Sequence, residues 1–145
     1  MQKLWQEDID CIKQGWWYSQ LGPGSKRYLF YRISLIQYII ESAKRDDARV
    51  YRYGTESLGF VYDWQDHWWL GGLTVRPNLL KDVSGKSSGI GEKLLKHIEL
   101  DAKRTNINRI SLHPGAVGLH HFYQRLGYQP SGIRQNIGKV FAKEL

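Results

Sequence analysis

A chain of 145 residues can bury one substantial core but is too short for two, so a single domain is expected over 1–145. An apolar fraction of 41% with 6 Trp, 9 Tyr and 4 Phe excludes a disordered or fibrous chain. The formal charge of +7 favours anionic ligands: a phosphorylated cofactor, an acidic substrate or a nucleic acid. The 21 basic residues nevertheless scatter without forming a tail or block, as on a solvated surface.

The single cysteine, Cys11, allows no internal disulfide and no thiolate cluster for a metal, and the opening MQKLWQEDID lacks a signal-peptide core. No run approaches the roughly 18 apolar residues a membrane span needs. These features point to a cytoplasmic protein without membrane contact.

In chain order, Trp5, Ile9, Ile12 and Trp16 recur at helical spacing, which predicts a first helix with Trp5 and Trp16 on its buried face. The breaker cluster Leu21-Gly22-Pro23-Gly24-Ser25 is a turn. Leu29, Ile33, Ile36, Ile40 and Ala43 then predict a second helix, ending in Lys44-Arg45-Asp46-Asp47. Residues 1–46 are thus a helical N-terminal part. After it the period becomes alternating. Val50–Tyr53, Leu58–Tyr62 and His67–Val75 read as strands joined by the turns Gly54–Ser57 and Asp63–Asp66, an antiparallel meander stopped by Pro77.

A polar loop, NLLKDVSG, leads into KSSGIGEKLLKHIE. Here Gly89 and Gly91 precede a helix whose apolar residues Ile90, Leu94, Ile98 and Ala102 recur every four positions. The first N–H groups of a helix lack internal partners and carry its positive dipole end, and glycine admits a phosphate to the backbone, so such a sequence suits a pyrophosphate. A lone Gly-x-Gly equally describes a flexible loop before a surface helix. The Gly-Lys-Ser/Thr ending of a P-loop is missing, as is the third glycine of a dinucleotide fingerprint.

Asn108–Leu112 is a further strand, expected parallel to His67–Val75 with the intervening helix as crossover. A helix from Val117 to Leu126 ends at Gly127, and two last strands follow Tyr128, the second being Lys139–Lys143. The fold class is mixed α/β: a central, mostly antiparallel sheet flanked by helices.

Three stretches in this order, Leu73-Thr74-Val75-Arg76-Pro77, Lys86-Ser87-Ser88-Gly89-Ile90-Gly91 and FYQRLGY at Phe122–Tyr128, resemble the GNAT superfamily of acyl-CoA-dependent N-acyltransferases. The resemblance runs from about Val50 to the C-terminus. It implies an acetyltransferase with acetyl-CoA as co-substrate and no metal. It also implies that backbone groups of Leu73, Thr74 and Val75 hold the pantetheine arm, and that Lys86, Ser87, Ser88, Gly89, Ile90 and Gly91 surround the pyrophosphate. Tyr123 then lies beside the thioester sulfur and protonates the leaving thiolate. The sequence departs from the family in four places. Lys stands at 86 where Arg or Gln is usual, the loop after Pro77 is longer, the first family strand is not evident before the Trp-rich helix, and Gly71-Gly72 occupies the place that often carries an acidic base.

For a general base, His113 at the end of a cleft-facing strand is the first candidate, with a bond to backbone as its structural alternative. His120 and His121 precede Tyr123, and as neighbours they point in different directions. His97 falls mid-helix among charges, while Glu56, Asp63 and Asp66 lie in turns. The acceptor is read as a primary amine on a small molecule or peptide. Two other readings stand beside this one: a catalytically silent acyl-CoA-binding module, and an acetyltransferase acting on an RNA-linked amine through a nucleic-acid surface. Trp16, Trp17, Trp64, Trp68 and Trp69 are either core or acceptor-pocket lining, and a homodimer is compatible with the sequence.

Overall fold

The structure, a computed structural model, describes residues 3–20, 26–76, 89–115 and 117–145. Four helices and six strands follow one another as α1 (Gln6–Gln20), α2 (Lys26–Ala43), β1 (Arg49–Tyr53), β2 (Ser57–Trp64), β3 (His67–Val75), α3 (Ile90–Arg104), β4 (Arg109–Leu112), α4 (Val117–Arg125), β5 (Gln129–Arg134) and β6 (Gly138–Glu144). The strands form one mixed sheet in the order β1-β2-β3-β4-β6-β5. Only β3 and β4 run parallel, with α3 as their crossover, as the element order requires. Among the described residues no strand precedes α1.

The sheet has a core on each face. Against α3 and α4 lie Val61, Trp68, Leu70, Ile110, Leu112 and Phe141, meeting the stripe Leu94, Leu95, Ile98 and Ala102. The opposite face carries Leu58, Phe60, Tyr62, Trp69 and Val140 and is covered by Cys11, Ile12, Ile36, Ile39 and Ala43 from α1 and α2. The alternation along β2 and β3 sends neighbouring residues to opposite cores, which is why two consecutive tryptophans, Trp68 and Trp69, are both buried.

Two features of the helices depart from the periodic reading. Trp5 is 57% exposed. It sits just ahead of α1, where the 3.6-residue period does not apply, and its N–H donates to the Asp8 carboxylate (2.8 Å) as in half of a capping box. Arg52 secures the same carboxylate from β1 (2.9 Å) and lays its guanidinium over the Trp5 ring (4.9 Å). Ile33 on α2 is 50% exposed, because the helix buries the stripe Ile36, Ile39 and Ala43 instead. The Leu21–Ser25 turn and the side chains of Trp16 and Trp17 lie outside the described part.

α3 is anchored by polar bonds as well as by its apolar stripe. The buried Glu99 carboxylate accepts from the Tyr128 hydroxyl (3.1 Å) and from Lys143 Nζ (3.0 Å), so the helix is tied both to the residue ahead of β5 and to β6. Tyr51 on β1 donates its hydroxyl to Asp101. Gly127, with φ +98°, ends α4 in the left-handed conformation that glycine tolerates best, and the next residue, Tyr128, is fully buried.

Candidate active site

The central feature is a wedge in the sheet. Parallel pairing between β3 and β4 covers only Trp68 with Ile110, Trp69 with Ser111 and Leu70 with Leu112. Beyond Leu70, β3 continues through Gly71–Val75 and, among the described residues, pairs with β2 alone. A strand edge that has lost its neighbour offers backbone N–H and C=O groups to an extended ligand, as at any sheet edge.

A β-bulge sits where the strands part. Phe60 pairs with Gly72 and Val61 with Leu70, so Gly71 is the extra residue on β3. A β-carbon on Gly71 would lie 2.3 Å from Phe60 Cε2, and one on Gly72 would lie 2.7 Å from Phe60 Cε1. The ring of Phe60, fully buried, therefore presses on the bare backbone of both glycines and takes up the space a side chain would need. That is the physical reason no carboxylate stands at these positions.

Around the bulge, α1 lies directly on β3. A β-carbon on Gly15 would approach Thr74 Cβ to 2.8 Å, and Cys11 Sγ lies 3.5 Å from Thr74 Oγ1. The Thr74 hydroxyl donates to the Leu58 carbonyl (3.3 Å), and the Thr74 carbonyl accepts from Ser57 Oγ (2.8 Å). Thr74 thus spends its side chain on the α1 face, while Leu73 turns to the α3 core. Arg76 fastens the end of the strand: its guanidinium donates to the Thr55 carbonyl (2.5 Å) and to Gln14 Oε1 (3.2 Å).

The start of α3 meets this strand end. Gly89 is its N-cap with φ +74°, and the Lys93 N–H donates to the Gly89 carbonyl (3.0 Å) to close the first turn. The amides of Gly91 and Glu92 belong to that turn, whose N–H groups a helix does not itself consume. A β-carbon on Gly91 would sit 3.4 Å from Val75 Cγ2 and 3.8 Å from Phe122 Cζ, so the ends of β3, α3 and α4 converge there. Glu92, the one acid of the turn, is engaged by Lys96 (2.9 Å), and this bond holds its carboxyl below the usual range. Lys86, Ser87 and Ser88 lie outside the described residues.

Tyr123 follows Phe122 on α4 and is 7% exposed, with its ring edge-on to Phe122 (5.0 Å) and Tyr128 (5.9 Å). Burial pushes its phenol above the ordinary tyrosine value, so the hydroxyl is a proton donor throughout the neutral range. No hydrogen bond joins it to a described residue, in contrast to Tyr128, whose hydroxyl goes to Glu99.

The histidines separate. His113, exposed beyond the end of β4, donates Nδ1–H to the Lys139 carbonyl (2.8 Å), which leaves Nε2 as the lone-pair nitrogen of the neutral ring. His120 turns inward, with Nε2 3.3 Å from the Gly115 carbonyl and its ring 5.2 Å from Phe141, whereas His121 is exposed. His97 is exposed beside Tyr51, and Glu56, Asp63 and Asp66 are exposed in or beside turns. Among the described residues no group of three or more His, Cys, Asp or Glu is placed to hold a metal ion.

Sequence reasoning missed Phe60, His67 and Ser111. His67 Nε2 and Ser111 Oγ are 2.8 Å apart and clasp β3 to β4 one step before the wedge opens. A doubled glycine inside a strand is a signal that could have pointed to a bulge or a close approach, but nothing in the sequence names the ring it meets.

The model of the acetyltransferase (GNAT) family matches residues 54–128, from the turn before β2 to Tyr128 ahead of β5. The chain belongs to the GNAT acetyltransferase family. As a GNAT protein it is an acyltransferase, and the wedge, the α3 start and the FY pair all fall inside the matched region. Solved structures share the fold. The PaiA N-acetyltransferase of Thermoplasma acidophilum, in complex with coenzyme A, is 17% identical with a TM-score of 0.66, covering 97% of this chain and 92% of its own. The ribosomal-protein-S18-alanine N-acetyltransferase of Escherichia coli is 13% identical with a TM-score of 0.62, covering 99% and 91%. A GNAT acetyltransferase of Elizabethkingia anophelis with acetyl-CoA bound is 18% identical with a TM-score of 0.53, covering 77% and 82%. No curated protein matches the chain. No helix among the described residues is long and apolar enough to cross a membrane.

Proposed function

We propose that this GNAT protein transfers an acetyl group from acetyl-CoA to a primary amine on a small molecule or a peptide. The observation that carries the reading is the parting of β3 from β4 after Leu70 and Leu112, beside a buried tyrosine hydroxyl that makes no hydrogen bond to a described residue. Coenzyme A in the Thermoplasma protein and acetyl-CoA in the Elizabethkingia protein support the choice of donor.

In this reading the pantetheine arm extends beside Leu73, Thr74 and Val75 and pairs with their backbone as an added strand would. The pyrophosphate lies at Lys86–Gly91, against the positive end of α3. A β-carbon at 91 would lie at ordinary contact distance from Val75 and Phe122, so Gly91 marks where the ends of β3, α3 and α4 meet.

The neutral amine attacks the thioester carbonyl carbon, and a backbone N–H of the unpaired edge near Gly71 and Gly72 stabilises the charge on the carbonyl oxygen. The carbon–sulfur bond breaks, and the thiolate takes the Tyr123 proton. The ammonium of the new amide loses its own proton to His113 Nε2, directly or through water, and the phenolate recovers a proton from solvent. A buried phenol stays protonated at neutral pH, so Tyr123 still carries its proton when the thiolate forms.

The test is thiol release from acetyl-CoA over a panel of primary amines, with coenzyme binding measured alongside. Release that depends on the amine supports the transfer. Coenzyme binding without release on any amine would make the protein a binding module.

A further inference from the structure

Arg134 closes β5 at the turn into β6. Its residue pairs with Gly138 across the hairpin, yet its guanidinium reaches over the sheet to three aromatic side chains of β2 and β3. It stacks 4.4 Å from the Trp69 ring, 4.8 Å from Trp64 and 5.8 Å from Tyr62, and Nη1 donates to the Tyr62 hydroxyl (3.1 Å). Arg45, Arg52 and Arg109 each have a carboxylate within ion-pair distance, Asp47, Asp8 and Glu144, whereas Arg49 stacks on the single indole of Trp68 (5.0 Å) with none among the described residues. Among the described residues no carboxylate lies within that distance of Arg134. Its phenol partner does not replace one, because burial pushes the Tyr62 pKa up to about 12 and leaves it neutral.

A half-buried guanidinium without a counter-ion loses hydration on its stacked face and gains little charge compensation there. Its remaining N–H donors form the planar fork that matches carboxylate and phosphate oxygens, and stacking on indole fixes that fork in direction. The position is also informative. Trp69 and Leu70 make the last two parallel pairs before the wedge, and Trp69 precedes the bulge glycine Gly71 by two residues, about 6.6 Å along a strand. The net charge of +7 adds a field of the same sign.

We propose that Arg134, held on Trp69 and Trp64, is the anion subsite of the acceptor: it receives a carboxylate or phosphate carried by the amine and sets the distance from that group to the attacking nitrogen. The proposal rests on the acetyl-transfer reading above and adds the class of acceptor to it. The substrates are then short-chain amines with an anionic group about five bonds from the nitrogen.

The test compares kcat/KM for ω-amino carboxylates from glycine to 6-aminohexanoate with alkylamines of the same length, and with aminoalkyl phosphates, in wild type, Arg134→Gln and Arg134→Lys. Wild type should prefer the anionic amine over its alkyl counterpart by about tenfold or more, with an optimum near the five- and six-carbon acids. This ratio should collapse towards one in Arg134→Gln and fall to an intermediate value in Arg134→Lys, which keeps the charge but not the fork. The phosphate arm tells which anion fits better. A wild-type ratio near one, or a ratio that survives in Arg134→Gln, overturns the subsite. Should Arg134→Gln not fold, Arg134→Lys decides on the same ratio.

Calorimetric titration of 6-aminohexanoate into the protein loaded with coenzyme A separates the two claims. If no amine is acetylated, the activity reading fails. The subsite then stands only if the acid binds where hexylamine does not and the difference is lost in the Arg134 variants. Equal or absent binding of the acid overturns it.

Discussion

Replacing Tyr123 with Phe removes one oxygen and leaves the ring, its edge contacts with Phe122 and Tyr128, and the α4 packing in place. Two readings of this residue predict opposite patterns. As the acid for the leaving thiolate, its loss should lower kcat by about 10²-fold to 10³-fold, or roughly 2.7–4 kcal/mol in the barrier, within the range usual for positioned proton donors. The coenzyme KM should hardly move, because the hydroxyl acts on charge that appears only as the carbon–sulfur bond breaks. Stability should change little, because the ring and its edge contacts stay and no hydrogen bond from the hydroxyl to a described residue is lost. Urea unfolding followed by tryptophan fluorescence, run beside steady-state thiol release, reads both quantities. A variant that unfolds at clearly lower urea while keeping its kcat would refute the argument and return Tyr123 to the core as an ordinary packed aromatic.

Gly71→Ala places a methyl 2.3 Å from Cε2 of the fully buried Phe60 ring, so it should lose about 1–3 kcal/mol in urea unfolding. Adding Phe60→Leu should recover part of that loss, and strict additivity of the two changes would contradict the contact. Gly89→Ala forces a β-carbon to φ +74° and should cost about 1–2 kcal/mol; an unchanged melting curve would mean that the helix start is not held in that conformation. Burial raises the phenol pKa values of Tyr123 and Tyr128 in the folded state. The stability they contribute is therefore fully present below the unfolded value near pH 10 and is lost as pH climbs towards the folded values. Unfolding free energies from urea titrations should be level from about pH 8 to 9.5 and then fall by about 1.4 kcal/mol per pH unit for each tyrosine, with a shallower fall in Tyr123→Phe; a level profile to pH 11 would contradict the burial of both phenols.

The meander and the crossover were legible in the sequence because one period gave way to another at a definite place, near Val50, and because Pro77, Gly89 and Gly127 punctuate it. His67–Val75 was legible to its ends for that reason. Local pattern fails where a residue's burial is decided by a distant element. Trp5 is exposed because it caps α1 and stacks under Arg52 of β1, and Ile33 is exposed because the sheet selects a different stripe of α2. The site divides in the same way. Gly89, Gly91 and Tyr123 lie in a contiguous pattern that a sequence can carry. Phe60 beneath Gly71, Ser111 against His67, and Arg134 over Trp69 are contacts across strands whose register no local pattern encodes.

The central claim is that the unpaired edge of β3 and the first turn of α3 grip one extended thioester. Amide hydrogen exchange with and without saturating acetyl-CoA addresses those two segments at once. Slowed exchange concentrated at Gly71–Arg76 and Gly89–Lys93, with β1 and β5 unchanged, is the predicted result. Unaltered exchange at both segments, or protection gathered elsewhere on the sheet, would contradict it.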